Sequence, residues 1–344
     1  MLNRIDLSKY NVRTDLAIEV VNKDNIGSYV TSMYDDIEVT RINLNEDEGK
    51  AIDKESGSYI TISFDDVTDF DNRIKLSKVV TSELSGIISS LGISSYDSCL
   101  VVGLGNDKST PDALGSLTIK DILVTRHLFV LNENVKEGIR NVCVFTPGVM
   151  GENGIETFDI IKSIIGSVKP DFVIAIDSLK ASSIDRVNKT IQITDTGIAP
   201  GSGVGNNRVN LNKKNLGIPI IAIGVPTVVD TSTIMSDTLD MLIEHLAYIK
   251  SNINKNKLVV REFGDYKKKV KESKSLSDSE KKEIMGMLGD LDDVSKHMLF
   301  EEVLNRFNYN LIVTPKEIDY LVEKLSNVLS SSINRALHES VNHY

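Results

Sequence analysis

The sequence predicts an α/β protein: a mostly parallel sheet flanked by helices on both faces, with strand-rich additions at its N-terminal side. Three observations predict it. Short runs of Val, Ile and Leu, such as Leu100-Val101-Val102 and Phe172-Val173-Ile174-Ala175-Ile176, alternate with segments whose apolar residues recur at helical spacing. The strand-like runs are apolar at nearly every position, the pattern of strands covered on both faces. At 344 residues, 41% hydrophobic and 26% charged, the chain has the composition of an ordinary globular protein with a substantial core.

Taken in order, residues 1–15 read as an exposed polar arm and residues 16–344 as one domain, with a core at 72–249, a charged insertion at 250–300 and a C-terminal helical segment at 301–344. Within residues 16–70 the clearest strand is 58–64. Residues 72–91 carry Ile74, Leu76, Val79, Val80, Leu84, Ile87 and Ile88 at helical spacing. A strand at 99–104, helix over most of 112–129, a strand at 141–145 and a helix at 155–168 follow. Strands are then expected at 172–176, 190–194 and 218–223, and a long helix at 227–249. Residues 250–283 turn Lys-, Ser- and Asn-rich and read as a solvated insertion. Ser277-Asp278-Ser279-Glu280 has the capping-box pattern and predicts a helix through Leu288. The last helix, 316–338, bears a stripe of Ile318, Leu321, Leu325, Val328 and Leu329 that suits core or subunit contact.

A net charge of −10 argues against non-specific nucleic-acid binding. Cys99 and Cys143 lie in apolar runs and read as buried structural thiols. His127, His245, His297, His338 and His343 show no metal spacing, so neither metal nor cofactor is expected. There is no Gly-x-Ser-x-Gly elbow for a serine nucleophile. The start of the chain lacks the apolar core of a signal peptide, and no apolar run is long enough for a membrane span, so an intracellular location is expected. Gly201-Ser202-Gly203-Val204-Gly205 lacks the setting of a nucleotide fingerprint and reads as a flexible loop.

Two carboxylates stand out. Asp112 follows the glycine turn of Val102-Gly103-Leu104-Gly105-Asn106 and sits behind Pro111, where a helix is expected to begin. Open α/β sheets bind ligands at such strand-to-helix junctions. A helix-N-terminal acid favoured by the macrodipole is the plainer reading. Asp177 ends the 172–176 run and is expected at the same edge, although a strand-end turn residue would look the same. If the two lie close, both cannot ionise cheaply, and one is left as acid and the other as base. Asp195-Thr196-Gly197 is the tripeptide of pepsin-like proteases, but those are all-β and use two copies. A local turn is the better reading, with Asp195 as runner-up acid.

The chain resembles the germination proteases of spore-forming bacteria in an ordered set of blocks. These include residues 10–19, Gly103 through Gly115, Thr125-Arg126-His127, Thr146-Pro147-Gly148-Val149-Met150-Gly151, Pro170-Asp171 with the strand after it and Asp177. They continue through 193–198, Pro200 through Asn206, Ile223 through Asp230 and Val313-Thr314-Pro315-Lys316-Glu317. The resemblance implies a fold similar to hydrogenase-maturation peptidases and an aspartic-type endopeptidase with Asp112 and Asp177 as its catalytic pair. It implies small acid-soluble spore proteins as substrates, a homotetramer, and a cytoplasmic place in the forespore and spore core, with no direct nucleic-acid or membrane partner. It also implies a zymogen that cleaves itself between Asp15 and Leu16, in the substrate-like run Asp15-Leu16-Ala17-Ile18-Glu19, and a chain starting at Met1 would be that precursor. By its alternation the same run could be a short amphipathic strand. Ser116 stands where the family commonly has proline, which leaves Asp112 untouched. A metal-assisted peptidase of the hydrogenase-maturation type and a spore-protein-binding scaffold without activity are the other readings.

Overall fold

The computed structural model describes residues 14–24, 27–200, 209–252, 276–305 and 311–341. The Gly201–Gly205 loop, His343, most of the arm and most of the 250–283 insertion lie outside them. In chain order the elements are α1 (Ala17–Asp24), β1 (Ser28–Tyr34), β2 (Ile37–Leu44), α2 (Glu46–Ala51), β3 (Gly57–Ser63), α3 (Phe70–Ser90) and β4 (Cys99–Gly103). Then come α4 (Leu114–Thr118), α5 (Arg126–Val130), β5 (Val142–Phe145), α6 (Met150–Asn153), α7 (Thr157–Val168), β6 (Phe172–Ala181), β7 (Thr190–Thr194), α8 (Lys213–Leu216) and β8 (Ile220–Asp230). The last are α9 (Thr231–Asn252), α10 (Asp278–Met285), α11 (Asp293–Asn305), β9 (Ile312–Val313) and α12 (Ile318–Leu337).

The chain divides into two compact units. The larger comprises Arg13–Ala181, Asp185–Val228 and Thr314–Tyr344. Its sheet runs β1-β2-β3-β7-β8-β6-β4-β5. The α/β class and the strand-rich N-terminal additions stand as read. The sheet itself is mixed: β4 pairs in parallel with β5 and β6, whereas β1 through β3, β7 and β8 pair antiparallel. β5 and β6 flank β4, and α7 lies in the crossover that carries the chain from one side of β4 to the other.

Both faces of the parallel part are covered. Cys99, Val101, Phe172, Ile174 and Ile176 face a core shared with α3 and α12, while Leu100, Val102, Val173 and Ala175 face a second core that contains Ile161 of α7. This is why β4 is apolar at every position. Helix α3 begins at Asp69, whose side chain accepts the Asn72 N–H at 3.0 Å. It buries Leu76, Val80, Leu84 and Ile87 against α12, and each such side chain contributes about 1.5–3 kcal/mol. The α12 stripe is core: Val322, Leu325, Leu329 and Ile333 are fully buried.

Three expectations are corrected. The helix expected over 112–129 is broken into a tight turn at Thr110–Asp112, the short α4, a second turn at Ile119–Asp121 and α5. Thr125 interrupts the run just before α5, where its N–H donates to the Val142 carbonyl and its hydroxyl to the Arg140 carbonyl. The helix expected from 227 begins at Thr231, since Thr227 through Asp230 continue β8. The run after Asp15 is helical rather than a strand, because Ala17, Ile18 and Val21 are buried together at helical spacing.

The described residues of the smaller unit are Ser182–Ile184, 229–252, 276–305 and 311–313. In it β9 pairs with the end of β8, Val229 opposite Val313. Ile243 and Ala247 of α9 pack with Leu276. The α10 capping box forms as expected, with the Ser277 N–H donating to Glu280 at 2.7 Å. The helix yields to a tighter turn at Gly286–Asp290, so Leu288 falls in that turn.

Candidate active site

The geometry around Asp112 is set by glycines. Strand β4 ends at Gly103, which lies opposite Ile176 in the parallel ladder with β6. The chain then turns through Gly105, whose φ of +96° favours glycine. A Cβ on Gly105 would lie 2.0 Å from the Asp112 carbonyl oxygen. The Asn106 N–H closes this turn by donating to the Asp112 carboxylate at 2.9 Å and to its main-chain oxygen at 3.1 Å. One carboxylate oxygen is thus fixed by the backbone, and Asp112 is half-buried.

Helix α4 brings that turn onto the next strand. Gly115 packs so closely that a Cβ there would lie 2.6 Å from the Ile176 carbonyl oxygen and 2.4 Å from that of Leu104. The Thr110–Asp112 turn also packs on β6. Asp177 is the next residue of β6, just past its ladder with β4, and is buried. Its carboxylate accepts the Ser178 N–H at 2.9 Å. Asp177 does not end its strand, because β6 continues to Ala181. What ends there is the pairing with β4, and that is what leaves Asp177 at the carboxyl edge of its neighbour.

Asp195 has a different setting. Its carboxylate accepts the Ser58 N–H at 2.8 Å and lies where a Cβ on Gly57 would intrude. It ties the end of β7 to the start of β3. Nearby, burial pushes the Tyr59 phenol up to about 12, and its hydroxyl donates to the Glu55 carbonyl at 2.7 Å.

The Asp15 segment is docked rather than free. The Asp15 N–H donates to the Lys180 carbonyl at 3.2 Å, and the Lys180 N–H donates to the Asp15 carboxylate at 2.9 Å. Leu16 is fully buried. Lys54 Nζ donates to the carbonyls of Thr14 at 2.9 Å and Asp15 at 3.3 Å. Gln192 donates to the Asp15 carbonyl at 3.2 Å and accepts the Ala17 N–H at 2.7 Å. Thr14 bonds Glu19, which also faces Arg186. The sequence reading missed Lys54, Gln192 and Lys180. Only Gln192 carried a signal, as an amide in the middle of an otherwise buried strand.

Both cysteines are free, and burial raises both thiols above their ordinary range, which disfavours them as nucleophiles. His338 is fully buried at the end of α12, where its Nδ1 accepts the Arg140 N–H at 3.1 Å. Among the described residues no three His, Cys, Asp or Glu side chains gather as a metal ion would require. No helix among them is long and apolar enough to cross a membrane.

The family model described as germination protease matches residues 13–344. The germination protease of Bacillus mycoides (strain KBAB4) is 44% identical, covering 99% of this chain and 97% of that protein. That of Bacillus subtilis (strain 168) is also 44% identical, covering 98% and 96%. Among solved structures, the [NiFe] hydrogenase maturation protease HycI from Thermococcus kodakarensis KOD1 is 23% identical over 42% of this chain and 80% of that one. Its TM-score of 0.27 is too low to bear on the site. With its family model spanning nearly the whole sequence and relatives matched end to end, the chain belongs to the germination protease family.

Proposed function

We propose that this protein is a self-processing, aspartic-type endopeptidase of bacterial spores, and that Asp112 and Asp177 form its catalytic pair. The observation that carries the reading is the contact of the Asp112 turn with β6, beside the residue where Asp177 leaves the ladder with β4. Two carboxyl groups at one strand edge divide the work. The ionised one takes a proton from water as its oxygen adds to the peptide carbonyl carbon. The protonated one donates to the carbonyl oxygen and then, as the C–N bond breaks, a proton reaches the leaving amine.

The substrates are small acid-soluble spore proteins, and the enzyme acts as a homotetramer in the spore core. The intact chain is its zymogen, cut between Asp15 and Leu16. A relative's name as a germination protease and the substrate-like run at 15–19 support this. The test is hydrolysis of a purified small acid-soluble spore protein by the processed enzyme, with and without chelator. Asp112→Asn and Asp177→Asn are each expected to lower the rate by about a hundredfold to ten-thousandfold, with chelator having no effect. Loss of activity in chelator and its return with a divalent ion would replace this reading with a metal-assisted peptidase. Binding of the substrate without cleavage would replace it with the scaffold.

A further inference from the structure

We propose that Lys54 and Gln192 form a latch that holds the Asp15–Leu16 peptide bond of the intact chain in a closed seat beyond the aspartate pair, so that opening of this seat governs when the chain is cut. The inference rests on the self-cleavage reading above.

Every polar atom of that peptide group has a partner. Its carbonyl receives Gln192 Nε2 at 3.2 Å and Lys54 Nζ at 3.3 Å, and its N–H donates to Thr14 Oγ1 at 3.1 Å. Gln192 reaches past the bond to accept the Ala17 N–H at 2.7 Å, so one amide grips the chain on both sides of Leu16. The Leu16 side chain has no exposed surface. A protease needs an extended, accessible bond, and this one is capped, buried and followed directly by α1.

The seat is also displaced from the aspartates. Asp15 exchanges bonds with Lys180, three residues beyond Asp177 on β6. At the rise of an extended strand that is about 10 Å along the backbone. Lys54 gives the latch its strength. It is half-buried, and its ammonium is held at two main-chain carbonyls, so withdrawing the arm would cost two charge-assisted hydrogen bonds. Burial lowers the Lys54 pKa, while Asp15, Asp53 and Glu19 offset part of that effect.

The latch is tested by thermolysin, which cuts ahead of Leu16 once the segment is accessible. The experiment uses full-length chain carrying Asp177→Asn, so that no cut comes from the protein itself. Lys54→Met and, independently, Gln192→Leu are expected to raise the rate of cutting at Leu16 by roughly ten- to a hundredfold, the worth of a charge-assisted hydrogen bond in the first case and of two neutral ones in the second. The rise should be confined to that bond, because a loosened fold would raise cutting throughout the chain. Equal rates at Leu16 in the variants and their parent, or a rise shared by all sites, would overturn the latch. In chains that keep Asp177, the same two substitutions should speed appearance of the Leu16 terminus. Slower self-cleavage alongside faster thermolysin cutting would make Lys54 part of the chemistry and overturn the latch. Faster thermolysin cutting with no self-cleavage in any chain would support the seat and remove the self-cleavage reading.

Discussion

Gly115 and Ile176 touch backbone to backbone: a Cβ on Gly115 would stand 2.6 Å from the Ile176 carbonyl oxygen. Gly115 lies three residues after Asp112, and Ile176 immediately precedes Asp177. This contact therefore joins the two segments that carry the carboxylates, and it tolerates no side chain.

Gly115→Ala is accordingly expected to cost about 2 kcal/mol of stability, since the atoms it meets are main-chain and cannot rotate away. Its effect on hydrolysis should exceed what the loss of folded protein explains. Urea unfolding beside activity per folded molecule separates the two. A fully active, fully stable Gly115→Ala protein would show that the α4–β6 contact does not position the site.

Asp195→Ala distinguishes the runner-up acid from the proposed pair. The Ser58 N–H would lose its acceptor, at about 1 kcal/mol or somewhat more. Activity per folded molecule should stay near wild type. A drop as large as that of Asp112→Asn would bring Asp195 into the chemistry.

His338 makes stability depend on pH. Its Nδ1 accepts the Arg140 N–H, and burial, the main cause, holds its pKa below the ordinary 6.5. The unfolded chain therefore takes up the proton first as pH falls. The stability that neutral His338 contributes is whole above 6.5 and is lost as pH drops through the lower native value. The urea midpoint of wild type relative to His338→Gln should shrink between about pH 7.5 and about pH 5. A constant difference would mean that His338 does not titrate in this window.

Much of this arrangement is legible in the sequence, and the rest fails for identifiable reasons. The glycine turn announces Asp112 because its residues are demanded by local geometry: a positive φ at Gly105 and a backbone contact at Gly115. The apolar runs announce β4 and β6 because both of their faces are buried. The length of β6 beyond Asp177 was hidden, since Ser178 and Lys180 look like the start of a loop. Lys180 is buried there and uses its main chain to bind Asp15, a partner 165 residues away. Leu16 and Ile18 alternate like a strand, yet Ala17 and Val21 give the same run a helical face, and packing decides between them. The long helix was expected to begin at Thr227, directly after Pro226. Pro226 instead lies within β8, between the ladder with β7 at Ala222–Gly224 and the pairing of Val229 with Val313.

The most direct measurement is intact mass with N-terminal sequencing of the full chain after incubation at mildly acidic pH, with Asp112→Asn and Asp177→Asn beside it. A new terminus at Leu16 in wild type, absent from both variants, is the predicted result. A Leu16 terminus that still appears in either variant would contradict the aspartate pair.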